Sequence, residues 1–146
     1  MILEEELPVG STGIGRTLYD LVAADGRCFS PTCWRTTLAL AHKGLDWTSR
    51  PTRFIDIPQI AGGGHKTVPV LDDAGTVIVD SWNIAEYLES HYPDRPSLFG
   101  GETGKRLAWF IQQWTQTQVS AMLFRMISTT AEPSNRANNA PHAANT

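Results

Sequence analysis

Two short apolar runs, VPVL at 68–71 and TVIV at 76–79, stand on either side of the turn residues DDAG at 72–75. Strand formers flanking a four-residue turn spell an antiparallel hairpin, so any sheet in this chain must accept an antiparallel pair. Immediately afterwards Ser81 is expected to cap a helix that carries Ile84, Tyr87 and Leu88 on one face and stops before Pro93.

Upstream, TLYDLV at 17–22 is an apolar, β-rich run and reads as a buried strand. After the loop AADGRCF, Ser30 and Pro31 suit the cap and first position of a helix, which continues through Trp34, Leu38 and Ala41 and closes at Gly44. Residues 47–54 look strand-like, and Pro51 assigns them to a sheet edge, because proline has no N–H for a ladder. Pro58 and three consecutive glycines leave room only for a short helix at 55–66. The order is β-α-β-(α)-β-β-α, an α/β class. Residues 1–16 form an aperiodic lead-in, 17–92 a first domain, 93–101 (PDRPSLFGG) a linker, 102–130 a helical segment, and 131–146 an Ala- and Asn-rich tail expected to be disordered.

Within 146 residues, 41% apolar and 18% charged, one ordinary core can be buried. The net charge of -3, with no basic stripe, excludes the electrostatic footprint of a nucleic-acid binder. No apolar stretch approaches the roughly 20 residues of a membrane span, and the acidic start lacks the pattern of a secretory signal. A soluble cytoplasmic protein is expected. Cys28 and Cys33 have neither redox nor zinc spacing, and His42 and His91 have no companions at useful spacing, so no metal site is expected.

Four segments, SPTCWR, KTVPVL, DSWNIAEYLESHYP and PDRPSLFGG, agree in type and order with the N-terminal domain of glutathione transferases, which the chain therefore resembles. The resemblance implies a thioredoxin-like fold and runs into the first helix of that family's all-helical second domain, to about residue 129. It also implies several further helices, so the second domain is expected to be truncated. The wording FSPTCWRT, ALAHKG and DSWNIAEYL is similar to the bacterial β-etherases and their fungal relatives, which cleave aryl ethers with glutathione as nucleophile. A serine ahead of WR also resembles the zeta class.

Such chemistry needs glutathione as a thiolate, whereas a thiol of pKa about 8.5 is only about 3% ionised at pH 7. A two-unit depression requires about 2.7 kcal/mol. A hydroxyl hydrogen bond to an anion supplies roughly 1.5 to 3 kcal/mol and a helix N-terminus roughly 0.3 to 1. By itself Ser30 is a helix cap; the resemblance makes it the catalytic hydroxyl. Cys28 is the rival, since a cysteine in this loop resembles the omega class and would make the chain a glutaredoxin-like thiol-disulfide oxidoreductase. Cys33 reads as packing.

Val68 and Pro69 read as a strand start, and the resemblance adds a cis-proline that turns the Val68 backbone toward the cysteinyl part of glutathione. Asp80 and Ser81 read as a helix cap. In the family the hydroxyl at Ser81 and the neighbouring N–H groups bind the γ-glutamyl carboxylate, while Asp80 meets the amino group or holds the turn. Lys66 is either a solvated lysine or the partner of the glycyl carboxylate, a role His65 could share. Trp109, Phe110 and Trp114 read as core residues, or by resemblance as part of an acceptor pocket. The implied function is a glutathione S-transferase acting on small apolar or aromatic electrophiles. A non-catalytic glutathione-binding fragment is a further alternative. Apolar residues on several faces of 102–129, among them Met122, Leu123, Phe124 and Ile127, suggest a homodimer or self-association.

Overall fold

The computed structural model of the chain describes residues 15–120 and residue 122, and divides it into two compact units between Leu98 and Phe99. In the first unit β1 (Arg16–Leu21), α1 (Pro31–His42), β2 (Thr48–Thr52), a 3-10 segment (Phe54–Gly62), β3 (Val70–Asp73), β4 (Thr76–Val79) and α2 (Ser81–His91) follow in the expected order. The sheet order is β2-β1-β3-β4. β1 runs parallel to β2, and β3 is antiparallel to both β1 and β4. This is the thioredoxin-like arrangement, and β2 with Pro51 lies at an edge, where a missing N–H is tolerated.

The hairpin is tighter than the expected four-residue turn, because Asp72 and Asp73 still pair in register with Val77 and Thr76. The loop is only Ala74 and Gly75, both at positive φ (52° and 92°), as a type I′ turn requires. The Gly75 N–H donates to Asp72 Oδ1 at 2.8 Å.

Alternation along β1 and β3 sends Leu18 and Leu71 to one face, where they pack with Leu40 of α1, Ile84 and Leu88 of α2, and Leu45 and Trp47. Each such side chain contributes about 1.5 to 3 kcal/mol on full burial. Polar anchors hold the helices in place around this cluster. Buried Asp73 accepts from Arg16 Nε at 3.1 Å, from the Tyr87 hydroxyl at 3.2 Å and from the Tyr92 hydroxyl, joining β1, β3 and α2.

Lys43, just past α1 and only 1% exposed, places Nζ 2.9 Å from Glu89 Oε2 and donates to the Tyr92 carbonyl at 3.3 Å. Glu89 also accepts from the Leu98 N–H at 2.9 Å and from the Ser97 hydroxyl, which ties the end of the unit to α2. Burial alone would push the Glu89 carboxyl up, but the Leu98 N–H, the Lys43 ammonium and the Ser97 hydroxyl outweigh it and hold it at about 2, below the ordinary 4.5. A lowered folded pKa gives stability that is fully present above about pH 4.5 and lost as the pH falls toward 2. The expected loss from this one group is about 3 kcal/mol. Urea midpoints across that window, compared with those of a Glu89→Gln variant, check it: the native protein should fall more steeply than the variant.

In the second unit α3 (Glu102–Trp114) begins where glycine is required, since a Cβ on Gly104 would stand 1.8 Å from the Phe99 carbonyl oxygen. None of its residues is buried. The expected helix over 102–129 is α-helical over Glu102–Trp114, continues as π-helical turns over Thr115–Ser120 and is α-helical again at Met122. There Thr115 Oγ1 donates to the Ile111 carbonyl at 2.8 Å and Thr117 Oγ1 to that of Gln113 at 2.9 Å, side-chain bonds that compete with the helix ladder. The expected tail at 131–146, residues 1–14 of the lead-in, and Leu123, Phe124 and Ile127 lie outside the described residues.

Candidate functional site

Because β3 is antiparallel to both neighbours, the ends of β1 and β4 lie beside its beginning. The loop from β1 to α1, the approach to β3 and the step from β4 to α2 therefore meet at one edge of the sheet. Val68 packs there against Leu21, Cys33 and Ile57. The Cys33 N–H donates to Ser30 Oγ at 3.4 Å, and the Asp80 N–H donates to the Pro69 carbonyl at 3.3 Å. Ser30, Val68, Pro69, Asp80 and Ser81 are thus linked through a short chain of contacts, although they are far apart in sequence.

Ser30 is the N-cap of α1, with extended backbone (φ −78°, ψ 118°) and Pro31 in the first turn. Its buried Oγ lies 2.8 Å from Thr32 Oγ1. A hydroxyl has one donor and two acceptor positions, so it can accept from Cys33 and still donate to an anion. The Val68–Pro69 bond is cis.

At α2 the cap differs from the expectation. Asp80, at φ +78°, is the N-cap, and its Oδ1 accepts from the N–H groups of Trp82 at 2.8 Å and Asn83 at 3.4 Å. A short acid that caps through its own side chain can occupy left-handed backbone, and the serine after it becomes the first helical residue. Ser81 is therefore released from capping. Its Oγ is buried, the residue being 6% exposed, and has no hydrogen-bond partner among the described residues. Leaving a buried hydroxyl unpaired costs about 1 to 3 kcal/mol, and this one stands at the positive end of an eleven-residue helix. Lys66 is exposed in the loop two residues before Val68. His65 Nε2 lies 3.4 Å from the Ala61 carbonyl instead of projecting freely.

Residues 29–91 match the family model described as glutathione S-transferase, N-terminal domain, a span that includes Ser30, Lys66, Val68, Pro69, Asp80 and Ser81. Over those residues the chain is similar to a glutathione S-transferase N-terminal domain. Two curated relatives agree with it: glutathione S-transferase Z1 of Arabidopsis thaliana, 39% identical over 69 residues, and maleylacetoacetate isomerase of Pseudomonas aeruginosa, 35% identical over 89 residues. These matches cover 44% and 53% of this chain, and the chain spans only 31% and 40% of the two relatives. Among solved structures, a glutathione S-transferase of Ceriporiopsis subvermispora in complex with glutathione superposes with a TM-score of 0.62 at 29% identity, covering 74% of this chain and 49% of that one. A Burkholderia glutathione transferase homologue with bound glutathione gives 0.58 at 28% identity, over 70% of this chain and 54% of that one.

Within this glutathione S-transferase-like domain the rival nucleophile is poorly placed. The Cys28 thiol donates to Asp20 Oδ2 at 3.0 Å. Burial, that bond and the charge of Asp20 push Cys28 up to about 12, the reverse of what a nucleophilic cysteine needs. Cys33 is fully buried and is also raised, chiefly by burial. Asp20 itself is absent from the sequence expectations, although an acid inside the apolar run TLYDLV was the available signal. Trp34 adds a second unexpected contact, its indole N–H donating to the Cys28 carbonyl at 3.4 Å. The described residues contain no group of three or more potential metal ligands.

Proposed function

We propose that the chain binds glutathione along this edge of the sheet and holds it as a thiolate for attack on a small apolar or aromatic electrophile. The observation that carries the proposal is the buried, unpartnered Ser81 hydroxyl at the start of α2, next to the Pro69–Asp80 link. Glutathione carries a carboxylate at its γ-glutamyl end, and an anion at a helix N-terminus gains both the waiting donor and the helix field. In this reading Ser30 donates to the sulfur, and the Val68 backbone pairs with the cysteinyl part as an added strand next to Pro69. Asp80 holds the turn that presents Ser81, and Lys66 reaches the glycyl carboxylate. Residues 17–92 form the glutathione domain and 93–101 the linker to a helical segment that begins at Glu102. The exposed apolar side chains of α3, Leu107, Phe110, Ile111 and Trp114, favour self-association. A thiol co-substrate suits the reducing cytoplasm.

The electrophile is an aryl ether by the resemblance of FSPTCWRT and DSWNIAEYL to β-etherases. A second reading, isomerisation, is favoured by the 35% identity to a maleylacetoacetate isomerase. Both begin with thiolate attack on carbon and differ in whether glutathione leaves again. Replacing Ser81 by Ala should weaken glutathione binding by roughly 1.5 to 3 kcal/mol, about 10- to 150-fold, read from tryptophan fluorescence. Equal affinity of variant and native protein would remove Ser81 from the site and with it the main support for the proposal.

A further inference from the structure

Asp20 lies outside the set of residues assigned above to glutathione. It sits on β1, 6% exposed, with Oδ2 accepting from the Cys28 thiol at 3.0 Å and Oδ1 buried without a hydrogen-bond partner among the described residues. Arg27, the cation next to Cys28 in sequence, pairs instead with Asp25, a guanidinium nitrogen lying 2.6 Å from Oδ2 of that residue. An antiparallel bridge between Val22 and Cys28 fixes the backbone that presents the thiol. We propose that Asp20 is a specificity-determining residue of this edge: held against Cys28, its carboxylate bars that cysteine from thiol-disulfide chemistry and leaves the Ser30 hydroxyl to meet an incoming sulfur.

The electrostatics run one way. Ionising Cys28 would remove the proton that bridges it to Asp20 and set a thiolate 3.0 Å from a carboxylate. The titratable groups that bear on this thiol are Asp20 from β1 and Cys33 from α1, and both raise it, as does burial. Trp34 donates to the Cys28 carbonyl and offers the sulfur no compensating hydrogen bond.

The consequence is a latent reaction. With Asp20→Asn, Cys28 can release its proton to solvent, attack one sulfur of an aromatic disulfide such as dithiodipyridine, form a Cys28–S–S bond and expel the other sulfur as a thiolate. In the native protein the rate at Cys28 should climb with pH without a plateau below about pH 10. Asp20→Asn should move that profile to lower pH and raise the rate at pH 8 by about tenfold or more. Adding Cys28→Ser to the Asp20→Asn variant should abolish the fast phase and so assign it. A native Cys28 that plateaus like an ordinary thiol near pH 8.5 would overturn the inference. So would coincident profiles for native protein and variant. Should Asp20→Asn fail to fold, Asp20→Ser carries the same comparison, since it too removes the carboxylate from beside the thiol.

Discussion

Replacing Glu89 by Ala is expected to destabilise the first unit by about 3 to 5 kcal/mol, the usual consequence of breaking a buried ion pair from one side. Lys43 is 1% exposed and, among the described residues, would be left with the Tyr92 carbonyl at 3.3 Å as its hydrogen-bond partner. Residues 97–98 would lose two hydrogen bonds as well, since the Leu98 N–H and Ser97 hydroxyl both end on this carboxylate. The paired change Lys43→Met with Glu89→Leu separates charge from shape, because replacing both partners by apolar groups of similar volume is often close to neutral. Denaturant unfolding of the three proteins checks the claim. If the single variant lost less than about 1 kcal/mol, Lys43 would have found water, and the pair would be no more than a surface contact.

Ser30→Ala is expected to raise the pKa of bound glutathione thiol by about one to two units from the roughly 6.5 of the native site, cutting thiolate at pH 7 about 3- to 25-fold. The variant also loses the cap on the Cys33 N–H, a change of about 1 kcal/mol in stability that by itself would not move the ionisation of a bound ligand. Thiolate ultraviolet absorbance of the complex as a function of pH reads the effect directly. Ser30→Thr keeps a hydroxyl and should stay close to the native profile. An unchanged profile in Ser30→Ala would transfer the stabilising role to another donor, with Thr32, 2.8 Å from Ser30 Oγ, the nearest hydroxyl.

Local patterns make the framework legible. Apolar runs mark the hairpin, Pro51 marks the sheet edge, and Ser30-Pro31 marks the start of α1. The cap of α2 is ambiguous between adjacent residues, since Asp80 and Ser81 are both good caps and only the observed φ of +78° assigns the role to Asp80. That distinction matters, because it frees the Ser81 hydroxyl. Pairs distant in sequence leave no local trace. Lys43 and Glu89 stand far apart in the sequence, yet they meet at 2.9 Å because α1 and α2 cover the same face of the sheet. Asp20 is hidden inside an apolar strand, and its partner lies across a loop in which the sequence presents Cys28 as an available thiol. The helix after the linker is legible from its apolar stripe alone, which carries no information about the threonine bonds that accompany the π-helical turns after Trp114.

Binding and ionisation of glutathione at this edge of the sheet can be measured together. Calorimetric titration of the native chain with glutathione near pH 7.5, repeated in two buffers of different ionisation enthalpy, reports both affinity and proton release. Saturable one-to-one binding with release of most of a proton is expected, because a thiol of ordinary pKa about 8.5 enters a site that lowers it by about two units. Folded protein that gives no saturable heat at millimolar glutathione, or that binds without releasing a proton, would contradict a thiolate-stabilising site.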